Sequence, residues 1–439
     1  MSPELIGLLE VSSVTTGSSN TIDALEEGPY PFFDRSQVIK RSNKFLFDTE
    51  AVIVPGEGMD FIPRYTFGKF DLHQRAYAVI PKDNIDGRYL YYAVLNNKRH
   101  FSQVATGSTV KSLRLKSFEL MRIPFVDMEL QKKISSVLAS FDYKIDRLGR
   151  INDNLQHLLR SLYDELIVSK TYDFINIGKV ARVFSGGTPN TSKDEYWGGE
   201  YPWLSSGETR NPFIIDTEKT ITKDGIDNSS TRLAHKLNTV IASAGQGLTR
   251  GQTSILFLDT FVNQSIVVVD SDSEWSFCIY CNLSSRYQEL RDLSDSSSIR
   301  GSITTGMISE LETPLPSKED LNKFNSIAAP ILVSIENNLM EVHKLTLLRD
   351  YLLPKLMSGE IDVSTLSLST KYSFSWVLGY ELLVSILHIL LIYHCIMKRC
   401  IYPNVSEESL NLFDGHSFVN RPCGHGAPEL MWVYVLYPC

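Results

Sequence analysis

MELQKKISSVLASFDYKIDRLGRINDNLQHLLRSLYDELIVSK, residues 128–170, decides the architecture of this chain. Its apolar side chains recur every three or four residues, the pattern of one long helix with a coiled-coil seam. The predicted seam consists of Ile134, Leu138, Phe141, Ile145, Leu148, Ile151, Leu155, Leu158, Leu162 and Leu166. At about 1.5 Å per residue, such a helix forms a rod about 60 Å long. We interpret it as a spacer that needs a partner helix.

A second run of the same kind lies at residues 320–358. Leu347-Leu348-Arg349-Asp350-Tyr351 in this run echoes Leu158-Leu159-Arg160-Ser161-Leu162 in the first, and Leu315-Pro316 precedes it as Ile123-Pro124 precedes the first. Pro330 is expected to kink the second helix, and Pro354 to weaken its end. The predicted seam is Phe324, Ile327, Ile331, Ile335, Leu339, Val342, Leu345, Leu348, Leu352 and Leu356. The two runs predict a pair of similar helices that pack antiparallel.

Composition allows two or three globular domains, because the chain has 439 residues and is 43% hydrophobic. The net charge is −8, and residues 171–316 hold 12 basic against 18 acidic side chains. Any DNA binding must therefore use local basic patches or a basic partner. We find no signal peptide at the N-terminus. None of the six cysteines precedes Cys278, which favours a reducing cytoplasm.

The segments before the two helices also repeat each other. Residues 51–54 and 76–80 read as strands closed by proline or glycine, and residues 89–96 as a short helix. The matching segments are 28–33 with 199–204, 52–58 with 240–247, 73–77 with 263–267 and, loosely, 107–110 with 301–304. An internal repeat of this kind indicates two domains of one plan.

The fold class that follows is α/β (α+β), with two recognition domains separated by two long antiparallel coiled-coil helices in pseudo-two-fold symmetry. The predicted boundaries are 1–127 for the first domain and 128–170 for the first helix. They are 171–316 for the second domain, 317–364 for the second helix and 365–439 for an atypical tail.

Several short motifs resemble the specificity (S) subunits of type I restriction-modification enzymes. They include Ser185-Gly186-Gly187-Thr188-Pro189, Tyr201-Pro202-Trp203, residues 245–251 with Asn263-Gln264, residues 30–36, residues 68–75 and residues 347–362. The resemblance covers residues 1–364. It implies a non-catalytic reader of double-stranded DNA that recognises a split target, one domain for each half, with the helices as a ruler.

The same resemblance implies partners and cofactors. Methyltransferase (modification) subunits would dock on the helices, and restriction (motor-nuclease) subunits would complete the complex in the cytoplasm. This chain itself would hold no cofactor and no metal, because S-adenosylmethionine, ATP and Mg²⁺ would belong to those partners.

Loop residues able to present hydrogen-bond donors and acceptors to base edges are the predicted DNA contacts. In the first domain they are Arg35, Ser36, Lys40, Arg41, Arg64, Lys69, His73, Gln74 and Arg75. In the second they are Thr188, Asn190, Ser205, Ser206, Arg210, Gln246, Thr249, Arg250, Asn263 and Gln264. Glycines 56, 58, 186, 187, 245 and 247 would let the backbone approach the duplex.

The sequence also bears on three other functions: an enzyme, a metal or redox protein, and a coiled-coil interaction protein. A nuclease or methyltransferase needs a motif that the sequence lacks: Asn211-Pro212-Phe213 has no second proline, and residues 245–251 fail the dinucleotide fingerprint. Cys278 and Cys281 could form half a zinc or redox site, but their apolar surroundings favour buried structural thiols. A coiled-coil interaction protein without DNA specificity remains an alternative.

The tail departs from the family pattern. Residues 377–397 are mostly apolar and long enough to cross a bilayer, but Glu381, His388 and His394 count against a membrane helix. A packed extra helix and a read-through product outside the functional fold are the other interpretations, and the last of these could inactivate the subunit.

Overall fold

Two long helices, Met128–Tyr163 and Lys318–Ser358, run antiparallel through the computed structural model. Residue numbers rise along one helix as they fall along the other: Arg349 Nη1 donates to Asp142 Oδ1 at 2.7 Å, and Asn338 Nδ2 donates to Asn152 Oδ1 at 2.8 Å. The structure describes residues 3–58, 60–107, 110–245, 248–296 and 301–365. Almost all of the predicted tail, including residues 377–397, lies outside these residues.

Each long helix begins at a capping side chain. Asp127 accepts the backbone N–H of Leu130 at 3.0 Å, and Ser317 accepts that of Asp320 at 3.1 Å. Such caps satisfy a backbone donor that the first turn leaves free. The first helix continues into a π-helical turn, Asp164–Val168. The second helix runs through both of its prolines and ends at Gly359.

The seam of the first helix differs from the predicted one in its second half. Ile151 and Leu158 are exposed, whereas the neighbouring Asn152 and Leu159 are buried. A helix with 3.6 residues per turn drifts away from a strict 3.5-residue repeat, so the buried stripe moves by one position. In the second helix, Ile327 of the predicted seam is likewise partly exposed, and Ala328 is buried instead.

The first domain contains two four-stranded sheets. In spatial order, the first sheet is Ser12–Thr16, Ala76–Pro81, Ala51–Pro55 and Arg64–Thr66, all antiparallel. The second is Lys40–Ser42, Tyr30–Phe33, Lys69–Leu72 and Phe47–Asp48, whose two central strands are parallel. Strands Glu4–Gly7 and Arg122–Phe125 pair beside them, and helices span Leu8–Val11, Gly87–Asn96, Lys98–Val104 and Leu115–Glu119.

The second domain repeats this strand arrangement and adds one strand, Phe213–Ile214, which pairs in parallel with Thr253–Leu256 at the edge of the larger sheet. In spatial order, the larger sheet consists of Ala181–Ser185, Ile266–Ser271, Thr239–Ala242, Thr253–Leu256 and Phe213–Ile214. The four-stranded sheet consists of Lys219–Ile221, Trp197–Leu204, Thr260–Val262 and Arg232–Ala234. Strands Phe174–Asn176 and Glu312–Pro314 pair beside them. Helices span Lys223–Asp227, Ser276–Ser284, Tyr287–Ser296 and Thr305–Glu310. The central strands of the four-stranded sheet are parallel, as in the corresponding sheet of the first domain.

Backbone hydrogen bonds define which residues of the two domains are equivalent. His73 N–H donates to Phe33 and Asn263 N–H to Leu204, so these two pairs occupy the same place. The N–H of Leu113 donates to Gly56 as that of Ile303 does to Ser243. The predicted match of residues 107–110 with residues 301–304 is therefore wrong, because Leu113 is the counterpart of Ile303. Sequence alone lacked the bonds that set this register.

Each domain is fixed to the helix pair by buried contacts. In the first domain, Tyr92 donates its hydroxyl proton to Asp142 at 2.6 Å. Beside the second domain, Tyr163 of the first long helix and Phe324 of the second pack edge to face, with ring centroids 6.0 Å apart. Asn282 donates to the Tyr163 hydroxyl at 3.0 Å. The first domain therefore sits where the first helix begins and the second ends, and the second domain sits at the opposite pair of helix ends.

Candidate nucleic-acid interface

Three loops of the first domain meet at one end of its sheets: residues 34–36, 56–58 and 73–75. Strands Tyr30–Phe33 and Lys69–Leu72 are parallel, so the loops after them leave from the same edge. His73 N–H donates to the Phe33 carbonyl at 2.9 Å, and Gly56 N–H donates to the Arg75 carbonyl at 2.9 Å. These bonds draw the three loops together, and we call this set the first loop face.

Glu57 lies at the centre of the first loop face. Its Oε2 accepts from Nη1 of Arg35 at 2.9 Å, and its Oε1 accepts from Nη1 of Arg75 at 2.8 Å. The Glu57 side chain is 15% exposed, whereas those of Arg35 and Arg75 are 58% and 57% exposed. Two predicted contact residues are thus held side by side, with their guanidinium groups open to solvent.

Asp34 organises a second group of predicted residues. Lys40 Nζ donates to its Oδ2 at 2.7 Å, and Ser36 Oγ donates to its Oδ1 at 2.6 Å. Burial alone would raise the pKa of Asp34, but the hydrogen bonds from Lys40 and Ser36 outweigh it and lower the pKa. Arg64 donates to the Asp34 carbonyl at 2.8 Å and lies over the ring of Phe33. Arg64 is half-buried, so its contacts support the loop.

His73 and Gln74 differ in accessibility. The His73 side chain is buried, and its Nδ1 accepts the backbone N–H of Arg75 at 3.0 Å. Burial lowers the pKa of His73, which favours the neutral ring. This placement argues against a direct base contact for His73. Gln74 is exposed and donates to Asn20 at 2.6 Å.

Arg41 and Lys69 are engaged away from the first loop face. Arg41 donates to the carbonyls of Gly28 and Pro29 at 2.7 and 3.0 Å. Lys69 begins its strand and places its Nζ 4.6 Å from the ring centroid of Phe45. The structure does not bring these two cations together with Arg35 and Arg75.

The equivalent loops of the second domain are residues 205–207, 243–245 and 263–265, which we call the second loop face. Thr188 Oγ1 donates to Gln264 Oε1, a pair that corresponds to Asn20 and Gln74 in the first domain. Asn263 is buried and accepts the N–H of Ser265 at 3.0 Å. Ser205 and Ser206 are partly exposed at the start of the first of these loops.

The remaining predicted residues of the second domain have varied environments. Thr249 is buried, and Arg250 is 13% exposed at its side chain and donates to Asp295 at 2.5 Å. Asn190 is exposed and accepts from Ser192 N–H and Oγ. Arg210 is exposed. Gln246 lies outside the described residues. The second loop face is therefore mainly neutral and polar.

Sequence reasoning missed the acidic residues of the interface. Asp34 and Glu57 order the cations of the first domain, and Glu208 accepts the backbone N–H groups of Ser205 and Glu218, each at 2.8 Å. The predicted contacts were basic, amide and hydroxyl side chains that offer donors and acceptors to base edges, and this set does not include carboxylates. A usable signal was present, because Glu57 stands between Gly56 and Gly58 in a segment already selected.

The two cysteines of the described residues are structural in placement. Cys278 and Cys281 are buried on helix Ser276–Ser284, and burial raises the pKa of the Cys278 thiol to about 12. Within the described ranges, no group of three His, Cys, Asp or Glu side chains could hold a metal ion. No helix in that part of the chain has the length and apolar character needed to cross a membrane.

The fold and its loops define a class: a protein with two similar binding faces carried on one helix pair. Comparisons with known proteins agree with this class. The type I restriction enzyme MjaIX specificity subunit of Methanocaldococcus jannaschii is 25% identical over 317 residues, which is 66% of this chain and 72% of that protein. The EcoDI specificity subunit of Escherichia coli is 27% identical over 161 residues, 36% of each chain.

A solved structure has the same fold. The S subunit of a type I restriction-modification system from M. genitalium superposes with a TM-score of 0.54 at 17% identity, over 81% of this chain and 99% of that one. The family model of the type I restriction modification DNA specificity domain matches residues 4–157 and 169–348. The chain therefore belongs to this family of DNA specificity subunits, whose role is DNA recognition rather than catalysis.

Proposed function

We propose that this chain reads a split double-stranded DNA target, with one loop face on each half-site and the helix pair fixing the gap. The observation that carries the proposal is the attachment of two domains with matching strand order to opposite ends of one antiparallel helix pair. Two readers on a rigid rod can bind only half-sites at a matching separation and helical phase. The exposed arginines of the first loop face and the polar second loop face supply suitable donors.

We further propose that the helix pair carries methyltransferase subunits and that restriction subunits join them in the cytoplasm. Exposed apolar side chains on both helices support this docking: Tyr143 is 67% exposed, Val333 54% and Leu347 48%. Apolar side chains left in water favour association with a partner. S-adenosylmethionine, ATP and Mg²⁺ would be bound by those partners.

Methylation-site sequencing tests the proposal. DNA from cells that co-express this chain with the methyltransferase subunit of the same genome is compared with DNA from cells lacking this chain. We expect a split methylated motif that appears only with the chain present. A complex that forms in a pull-down without any motif would favour the alternative of an S subunit inactivated by its tail. A complex without the methyltransferase subunit, or none at all, would favour the coiled-coil interaction protein.

A further inference from the structure

Arg35, Glu57 and Arg75 form a unit that the second domain lacks, and we propose that this triad reads a guanine in the first domain's half-site. The inference rests on the proposed function and assigns part of its specificity to named residues. Glu57 receives one hydrogen bond from each arginine, at 2.9 and 2.8 Å. Among the described residues, it is the only hydrogen-bond partner of either guanidinium group.

Backbone bonds identify the three equivalent positions in the second domain. Phe33 and Leu204 accept from His73 and Asn263, so Ser206 stands where Arg35 does. Gly56 N–H donates to Arg75, and Ser243 N–H donates to Ser265 in the same way.

The position of Glu57 is matched by a third backbone contact. Glu57 forms a β-bridge with Ser112, and Ala244 forms the same bridge with Ser302. The triad Arg35–Glu57–Arg75 is thus replaced as a whole by Ser206, Ala244 and Ser265.

The second domain also shows that the triad is not needed to build the loops. It makes the same backbone bonds around small, uncharged side chains. The arginine side chains of both ion pairs are more than half exposed, and such pairs contribute little to the free energy of folding. The cost of placing two arginines beside one another is therefore better explained by a ligand than by the fold.

The chemistry of the triad favours a base over a phosphate. A phosphate contact depends on net positive charge, which Glu57 lowers here, and it carries no sequence information directly. Bidentate binding to O6 and N7 of guanine requires a guanidinium plane held in a fixed direction. Glu57 supplies that constraint: its side chain is mostly buried, and it neutralises one of the two charges while leaving both arginines 57–58% exposed.

The test converts the triad into the set found in the second domain. Arg35→Ser, Glu57→Ala and Arg75→Ser are combined in the full chain, and methylation motifs are sequenced with the methyltransferase subunit present. We expect one half-site to lose its requirement for a G·C pair by roughly ten- to a hundredfold in relative methylation. The other half-site and the thermal unfolding temperature stay as in the wild type. Arg99→Ser, on helix Lys98–Val104, is the control with the same change of net charge.

Glu57→Gln separates base reading from phosphate binding. If the arginines read guanine, loss of the carboxylate frees their planes, and selectivity at the same half-site falls. Equal or tighter binding to all DNA sequences, with the motif unchanged, would assign the arginines to phosphates and overturn the inference. A wild-type split motif that the triple variant leaves intact would also overturn it, without touching the proposed function. Absence of any methylated motif with the wild-type chain would contradict both the inference and the proposed function.

Discussion

His73 and Asn263 show how one turn is stabilised by two different side chains. Each is buried, and each accepts the backbone N–H of the residue two positions on, at 3.0 Å. Each also donates its own N–H to the preceding parallel strand. This position in the turn therefore requires a side-chain hydrogen-bond acceptor, and an imidazole ring is not the only group that can supply it. In the first domain this acceptor happens to titrate.

The exchange His73→Asn tests this equivalence through pH. Burial lowers the pKa of His73 from its ordinary value of 6.5, so the unfolded chain binds a proton at a higher pH than the folded chain. The stability that the neutral ring contributes is present above pH 6.5 and is lost as pH falls through the lower folded pKa. We expect the free energy of unfolding of the wild type to fall more steeply than that of the variant between pH 7 and 5.

Urea denaturation at several pH values measures this difference. His157→Asn, at an exposed position on the first long helix, is the matched control. Parallel pH curves for the wild type and the His73 variant would show that burial does not bias the protonation of this ring.

At the scale of the helices, one polar pair interrupts the seam. Asn338 donates to Asn152 at 2.8 Å, and Asn152 is 7% exposed with no hydrogen-bond partner for its Nδ2 among the described residues. A buried amide of this kind lowers stability but selects one register of the two helices. The pair lies between the contacts that anchor each domain, so it is well placed to set their separation.

Leucine substitutions separate stability from register. Asn338→Leu leaves the Asn152 side chain wholly unpaired, and we expect it to lower the free energy of unfolding by about 1–3 kcal/mol. Asn152→Leu combined with Asn338→Leu restores or exceeds wild-type stability, because no buried amide remains. We expect the double variant to methylate targets with a wider range of gaps.

Denaturation curves and methylation of targets with varied gaps measure both effects. The exposed neighbour Asn337 provides the control Asn337→Leu. A double variant as selective for the gap as the wild type would exclude a role for the pair in register.

At the scale of the whole molecule, the length of the helix pair determines the gap. Deletion of residues 145–151 together with 339–345 removes one heptad from facing parts of the two helices and keeps both the Asp142–Arg349 and Asn152–Asn338 contacts. The rod shortens by about 10 Å, the rise of about three base pairs. We expect the preferred gap to become shorter.

Methylation sequencing of the deletion variant measures the gap directly. Arg147→Ala with Lys344→Ala changes exposed residues of the same segments at constant length and serves as the control. An unchanged gap in the deletion variant would mean that the helices do not act as a ruler.

Sequence patterns predicted the helices, several strands and the two-domain plan, because these follow from hydrophobic periodicity and an internal repeat. They misplaced Ile151 and Leu158, since the burial of a helix face depends on the partner helix. They selected Arg35 and Arg75 but not Glu57, because only the folded loops bring the three together. The match of Ser206, Ala244 and Ser265 with that triad also needed backbone bonds that no pattern of letters reveals.

The antiparallel helix pair also determines when the contacts between the two long helices can form during synthesis of the chain. Asp142, which also contacts the first domain, cannot bind Arg349 until that residue has been synthesised, 207 residues later. At about 5–20 residues per second, translation needs roughly 10–40 s to cover that distance. During this interval the first long helix has no partner helix. The second domain therefore leaves the ribosome before the first domain can contact the second long helix. The second long helix, Lys318–Ser358, therefore completes the contacts of both domains with the helix pair.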